Sequence, residues 1–288
     1  MEDTTSDAAL MMPGRGEAAK LPLPDGILLR EDGTRGRHLV ASRPYKRGEL
    51  VLAEPPYRAV LDEQHTASHC DYTFAQATAG QQLLRCSRSK LARYVSRVAQ
   101  KAAWRDGYKE ECEALVRCAP RVPPPTVRLA ARCLWRRQRD RDNPAQAAGG
   151  WQSYEALCSL QHHWDDLPSP RKQLYAQMAV LVRQFMCAAP AEPAACSDDS
   201  GTTVNKLWAP PQAADSEMKL SQDSTEDDPD GLPSTRSIAL LLARFAANAH
   251  TIADEELSPI GVGIFPLASM VNHSCACHQH RTLGLSSC

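Results

Sequence analysis

A chain of 288 residues can hold one large or two small domains, and 43% apolar residues suffice for a core. The net charge of −1 excludes a general attraction to nucleic acid or to an acidic membrane. No apolar run is long enough to cross a bilayer, and the acidic start Met1-Glu-Asp-Thr-Thr-Ser-Asp7 does not read as a secretory signal, so an intracellular location is the default expectation.

Taken in order, residues 1–25 carry little apolar periodicity and read as a disordered leader. Ile27–Leu29 and His38–Ser42 read as short strands around the turn Asp32-Gly-Thr-Arg-Gly36. Pro44–Gly48 is a second turn. Glu49–Glu54, apolar at its centre, reads as a third strand closed by Pro55-Pro56. Leu84, Leu91, Val95, Val98 and Ala102 fall at spacings that predict an amphipathic helix.

The prolines of 120–125 form a stiff connector. Thr126 reads as the N-cap of a basic helix, Val127–Arg139, with Leu129, Cys133 and Leu134 inward. Its Arg132, Arg136, Arg137, Arg139 and Arg141 read as a solvated face and not as a nucleic-acid patch, because only Trp135 interleaves as a stacking residue. A helix begins at Ser153, with His162 and His163 at its end. Another spans Arg171–Cys187, with Leu174, Met178, Leu181, Val182 and Phe185 on its apolar stripe.

Residues 188–233, rich in Ala, Pro, Ser, Asp and Glu, read as an acidic flexible insertion. Thr235–Ala253 is the best helical pattern in the chain. Beyond it, Val262, Ile264 and Phe265 form a short buried strand that Pro266 ends, and Asn272-His-Ser-Cys275 follows. Polar side chains placed directly after a buried strand need polar partners. Eleven cysteines, an odd number scattered along the chain, argue against a disulfide framework; Cys133, Cys158 and Cys187 read as small apolar packers.

The stretch Gly261-Val-Gly-Ile-Phe-Pro-Leu-Ala-Ser-Met-Val-Asn-His-Ser-Cys275 resembles the SET domain of the SET-and-MYND protein-lysine methyltransferases, closest to their plant and algal branch. Further matches occur in family order at Arg35-Gly36-Arg37-His38-Leu39, Lys46-Arg47-Gly48-Glu49-Leu50, Leu174-Tyr-Ala-Gln-Met178 and Asn248-Ala-His-Thr-Ile252. After Cys275 the likeness stops. The family continues with Pro-Asn and a further catalytic stretch, whereas this chain reads Ala276-Cys-His-Gln-His-Arg-Thr-Leu-Gly-Leu-Ser-Ser-Cys288.

The resemblance implies an α+β fold of small SET-type sheets with a large helical insert and without the C-terminal part of the SET fold. It divides the chain into a leader (1–25), the first part of the SET domain (26–64), a degenerate MYND-like helical insert (65–118), a helical SET insert (119–187), an acidic loop (188–233), the SET core (234–275) and a divergent tail (276–288). It implies methyl transfer from S-adenosyl-L-methionine to a lysine of a protein substrate, in the nucleus or the cytoplasm, impaired or absent in this chain. The alternative is a non-catalytic interaction module or truncated isoform. Neither a membrane nor a nucleic-acid partner is expected, and the oligomeric state stays open.

By resemblance the donor-contacting positions are Arg35, Arg37, His38, His162, Asn248, Ser269, Asn272 and His273. His38 stands where the family has a second glycine, and Arg35 taken alone is equally an exposed arginine in a turn. No catalytic residue is assigned, since no tyrosine follows Cys275. The finger's zinc ligands are largely replaced: Cys70 is followed at three by Thr73 and Cys86 by Ser89, Val95 and Ala99 stand at two further cysteine positions, and Tyr108 stands near the usual His. Such a segment is expected to hold no structural zinc.

Overall fold

A computed structural model describes residues 23–187, 227 and 231–272. Most of the leader, the acidic insertion apart from Asp227 and residues 231–233, His273 and the tail lie outside the described residues.

The first hairpin is made by its turn. Asp32 Oδ1 accepts hydrogen bonds from the N–H groups of Thr34 (2.9 Å) and Arg35 (2.5 Å), and Gly36 takes the left-handed conformation (φ +63°) that reverses the chain. Strand β1 (Ile27–Asp32) pairs antiparallel with β2 (Gly36–Ala41), Asp32 opposite Gly36. Both strands are longer than predicted, because the side-chain cap lets the ladder run up to the turn.

The expected strand over Glu49–Glu54 does not form; that stretch pairs with no neighbour strand among the described residues. Its two glutamates serve turns instead. Glu49 accepts from the Lys46 N–H and pairs with Arg43, and Glu54 accepts from the N–H groups of Leu267 and Ala268. Strand β3 (Arg58–Leu61) starts only after Pro55-Pro56, which cannot donate to a ladder.

Between β3 and the long helices stands a small finger-like segment. Strands β4 (Leu84–Arg85) and β5 (Arg93–Tyr94) form a short hairpin, followed by α1 (Arg97–Ala103), a wide turn over Trp104–Tyr108 and α2 (Lys109–Cys118). The amphipathic helix expected from Leu84 is corrected here. Helix begins only at Arg97, where Ser96 caps it by accepting from the Ala99 N–H, and Val98 of the expected apolar stripe is 78% exposed. A compact cluster of Cys70, Cys86, Tyr94, Ala99, Tyr108 and Cys112 holds the segment together, so burial follows a packed centre and not one helix face.

Helix α3 (Pro125–Asp142) carries Leu129, Cys133 and Leu134 inward as read. Apart from the exposed Arg141, its arginines are not a solvated face. Arg128 is fully buried and donates to Glu111; Arg132 donates to Glu111, Asp71 and the Ala59 carbonyl; Arg136 donates to the Tyr57 carbonyl. Burial opposes the Arg132 charge, but Asp71 and Glu111 outweigh it and raise its pKa. This charged seam ties the finger segment to α3 and to β3.

After the short α4 (Tyr154–Cys158) comes α5 (Ser169–Cys187), whose inward face is Tyr175, Ala176, Ala179, Val182 and Phe185. Leu174 of the expected stripe is 45% exposed, so the helix is rotated to present its alanines to a close neighbour. That neighbour is α6 (Thr235–Asn248), capped by Ser234 and buried through Ile238, Leu241, Leu242 and Phe245. The helical pattern read through Ala253 stops at Asn248, because the following residues are captured by a sheet. Strand β6 (Ala249–Ala253) and β3 flank β7 (Pro259–Ile264) in an antiparallel sheet of order β3-β7-β6.

A Cβ on Gly261 of β7 would lie 2.4 Å from the Val60 carbonyl oxygen, which explains the glycine at that position. The main core lies between α3, α5 and α6, and a second layer seals the other side of the sheet through Leu61, Phe74, Ile252 and Phe265. The architecture is α+β, helices with small antiparallel sheets, consistent with a SET-type fold.

Candidate functional site

The ends of α6 and β7 meet the first hairpin. Asn248 closes α6 by donating through Nδ2 to the Arg244 carbonyl (2.8 Å) and to the Gln161 carbonyl (2.7 Å). One turn earlier on the same face, Arg244 Nε donates to the carbonyls of Cys158 and Leu160. Two side chains of one helix thus clamp the loop after α4. On the far side of that loop, the Arg37 guanidinium donates to the Ser159 carbonyl and reaches the Ser159 hydroxyl at 3.5 Å.

The circuit closes through the turn after β7, whose residues Ala268–Met270 make a 3-10 turn. Ser269 Oγ lies 3.0 Å from the Asn248 carbonyl, 2.8 Å from the Phe265 carbonyl and 3.3 Å from His250 Nε2. Three residues on, Asn272 Nδ2 donates to the Arg35 carbonyl at 3.3 Å. Arg35 and Arg37 belong to one turn and strand, so Arg37, Ser159, Gln161, Asn248, Ser269, Asn272 and Arg35 form a ring of contacts. Arg35 and Asn272 are exposed; Arg37, Asn248 and Ser269 are half-buried.

Of the predicted positions, Arg35, Arg37, Asn248, Ser269 and Asn272 are therefore brought together. His162 stands beside the ring, its Nδ1 accepting from the Trp164 N–H. His38 is turned away: it is 6% exposed, with Nδ1 2.9 Å from the Gly36 carbonyl and Nε2 3.8 Å from Asp32 Oδ2, because successive β2 side chains point to opposite faces and Arg37 takes the other one. His273 lies outside the described residues.

Sequence reading assigned no role to Ser159, Gln161, Arg244 or His250. The Arg244–Asn248 spacing was a readable signal, two polar residues four apart on an apolar helix. Gln161 joins the ring through its backbone carbonyl and Ser159 largely so, and a carbonyl leaves no residue-type signature. A crevice of about 290 Å³ opens between β3 and the finger segment, lined by Tyr57, Arg58, Tyr72, Asp106 and Arg132 among others; none of the predicted site residues lines it.

The base of the ring rests on Glu54. Burial raises its pKa to about 7, against the pull of the two N–H groups of Leu267 and Ala268 that favour the carboxylate. The carboxyl thereby fixes the start of the turn that carries Ser269.

In the finger segment, Cys86, Ser89, Tyr108 and Cys112 bring two thiols and two hydroxyls together, and Cys70 is buried in the same cluster. Cys86 Sγ and Cys112 Sγ are 3.7 Å apart, and Ser89 Oγ and Tyr108 OH are 2.6 Å apart, bonded to each other. Tetrahedral structural zinc takes four Cys or His ligands. Hydroxyls are not such ligands, so these four side chains do not by themselves make a structural zinc site. Among the described residues, no three His, Cys, Asp or Glu side chains converge on a metal position, and no helix is long and apolar enough to cross a membrane.

No protein-family model matches the chain. It is 28% identical over 249 residues to the histone-lysine N-methyltransferase ASHR1 of Arabidopsis thaliana, covering 84% of this chain and 41% of that protein. It is 26% identical over 241 residues to the histone-lysine N-methyltransferase SMYD3 of Homo sapiens, covering 84% and 46%. It is 29% identical over 262 residues to the N-lysine methyltransferase SMYD2 of Gallus gallus, covering 91% and 48%. The chain spans about half the length of the curated relatives it matches. With a plant protein among them, and with the likeness running through nearly all of the chain, this protein is a relative of the SET-and-MYND-type protein-lysine methyltransferases.

Proposed function

We propose that this chain carries the donor-holding half of a protein-lysine N-methyltransferase, with the ring of Arg35, Arg37, Asn248, Ser269 and Asn272 as its S-adenosyl-L-methionine site. The single observation that supports the reading is the ring itself. Five positions scattered between 35 and 272 and singled out from sequence converge through hydrogen bonds on one rim. In this reading residues 26–64 and 234–275 form the SET core, 65–118 is a finger-derived insert without zinc, and 119–187 is the helical insert.

The residues suit such a ligand. Arg35 is exposed at the rim, and a guanidinium matches the carboxylate of an amino-acid end as a two-pronged donor. Asn272 places an amide beside it. Asn248 and Arg244 immobilise the loop of Ser159–His162, so polar backbone groups are held in place before a ligand arrives. The bound donor supplies a sulfonium methyl, which an unprotonated lysine amine takes as the sulfur leaves as a neutral thioether.

The protein's part is alignment, and the described residues supply it on the donor side only. None of the seven tyrosines lies in the ring, and no described carboxylate or hydroxyl beyond Ser269 joins it. In this reading the chain binds the donor and transfers its methyl group poorly or not at all. The acceptor is a lysine of a protein, histone or otherwise.

Calorimetric titration of the purified chain with S-adenosyl-L-methionine, followed by transfer of labelled methyl to a histone mixture, tests this. Binding that Asn248→Ala and Asn272→Ala weaken is the expected result. Binding with turnover makes the chain a complete enzyme, and binding alone leaves a donor module. No binding by a folded chain overturns the reading and favours an interaction module.

A further inference from the structure

The finger segment keeps a pair of thiols in contact where the chemistry of a metal site is gone. Cys86 follows β4, its N–H donating to the Ala92 carbonyl, and Cys112 stands in the first turns of α2. They are 26 positions apart in sequence and 3.7 Å apart at sulfur. Their surroundings are apolar and aromatic, with Tyr94 and Tyr108 in edge-to-face contact beside them. Cys112 is fully buried and Cys86 is 6% exposed.

Two sulfurs at that distance are close to bonding. A disulfide needs them about 2.05 Å apart, so each must move by less than about 1 Å. Rotation about the two Cα–Cβ bonds supplies such a displacement. The Ser89 hydroxyl is bound to Tyr108 and also hydrogen-bonds the Cys86 sulfur.

We propose that Cys86 and Cys112 form a dithiol modification site that hydrogen peroxide closes to a disulfide, a covalent cross-link between the β4–β5 hairpin and α2. The Cys86 sulfur, as thiolate, attacks one peroxide oxygen. The O–O bond breaks, and the leaving hydroxide takes up the thiol proton as water, which makes Cys86 a sulfenic acid. The Cys112 sulfur then attacks the Cys86 sulfur; the S–S bond forms, the S–O bond breaks and a second water departs with the Cys112 proton. The two thiols lose two electrons together, and one peroxide is reduced to two waters.

This cross-link matters to the fold because the finger segment has few other constraints of long range. Its own core is a small cluster, and its ties to α3 run through the Asp71–Glu111–arginine seam. Closing the 26-position loop restricts the unfolded chain and raises the unfolding temperature of the oxidised protein.

The full chain, stripped of metal and fully reduced, is titrated with hydrogen peroxide, alkylated and read by peptide mass spectrometry without reduction. The expected result is a linked Cys86–Cys112 peptide at the lowest peroxide, reversed by dithiothreitol, with a higher melting temperature for the linked form. Cys86→Ser abolishes the link, and Cys86→Ala repeats that outcome with a replacement suited to an apolar cluster. Both thiols remaining alkylatable while the exposed Cys187 oxidises overturns the proposal, as does a link between other cysteines. So does tightly held zinc in the purified protein that shields both thiols from peroxide.

Discussion

Asn272 Nδ2 donates to the Arg35 carbonyl across 3.3 Å, although 237 positions separate the two residues. The bond joins the end of the described chain to its first hairpin and closes the ring proposed to hold the donor. Because Asn272 is exposed, Asn272→Ala is expected to leave the unfolding midpoint nearly unchanged. Donor affinity is expected to fall about tenfold, roughly 1.4 kcal/mol. Calorimetry beside a thermal melt separates the two effects.

Asn248→Ala should do both. Its amide holds the Gln161 and Arg244 carbonyls, so its loss costs about 1–2 kcal/mol of stability, within the range for lost hydrogen bonds. It also frees the loop that Arg37 reaches. Urea unfolding reports the first effect, and donor titration the second as a larger loss than for Asn272→Ala.

Glu54 makes stability depend on pH. Its folded pKa of about 7 lies above the ordinary 4.5, so the folded state holds more protons between those values. Stability from this group is therefore greatest below about pH 4.5 and falls as pH rises toward 7, by up to roughly 3 kcal/mol. Glu54→Gln keeps an oxygen for the Leu267 or Ala268 N–H and cannot ionise. The urea midpoint of the wild type should drop relative to the variant as pH is raised from 5 to about 7.5; parallel curves would refute the assignment.

The charged seam predicts a strong asymmetry. Glu111 and Arg128 are both fully buried and 2.7 Å apart, so Glu111→Gln leaves two arginines short of a partner and should cost about 3–5 kcal/mol. Arg141, 50% exposed where it meets Asp227, should cost under about 1 kcal/mol when replaced by alanine. Chemical denaturation of both variants checks the contrast.

Gly261→Ala should destabilise by about 2 kcal/mol or more, since the new methyl group would meet the Val60 carbonyl oxygen at 2.4 Å and the sheet must spread. Gly33→Ala is the control, with open space around the added carbon. Equal melting temperatures would place β7 less tightly than described.

Local chemistry was legible residue by residue. The turn from Asp32 to Gly36, the inward Leu129 and Leu134, and the buried strand through Val262 and Ile264 all depend on neighbours a few positions away. Errors arose where partners are distant. Glu49–Glu54 has a strand's composition, yet Glu54 is drawn to the turn at Leu267. Ala249–Ala253 continues a helical pattern, yet the free edge of β7 takes it as a strand. Leu84 to Ala102 has helical spacing, yet the cluster around Cys86 and Tyr108 bends the chain into a hairpin first.

The sequence alone determined the family likeness, singled out Arg35, Arg37, Asn248, Ser269 and Asn272, and carries Thr73, Ser89, Val95 and Ala99 where the likeness leads one to expect cysteines. The tertiary structure decided that those five positions share one rim, that His38 faces its own hairpin, and that the arginines of α3 are buried partners of Asp71 and Glu111. Side-chain identity and spacing are properties of the chain, whereas a hydrogen bond to a backbone carbonyl or a charge paired across 17 or more positions exists only once packing has brought the two groups together.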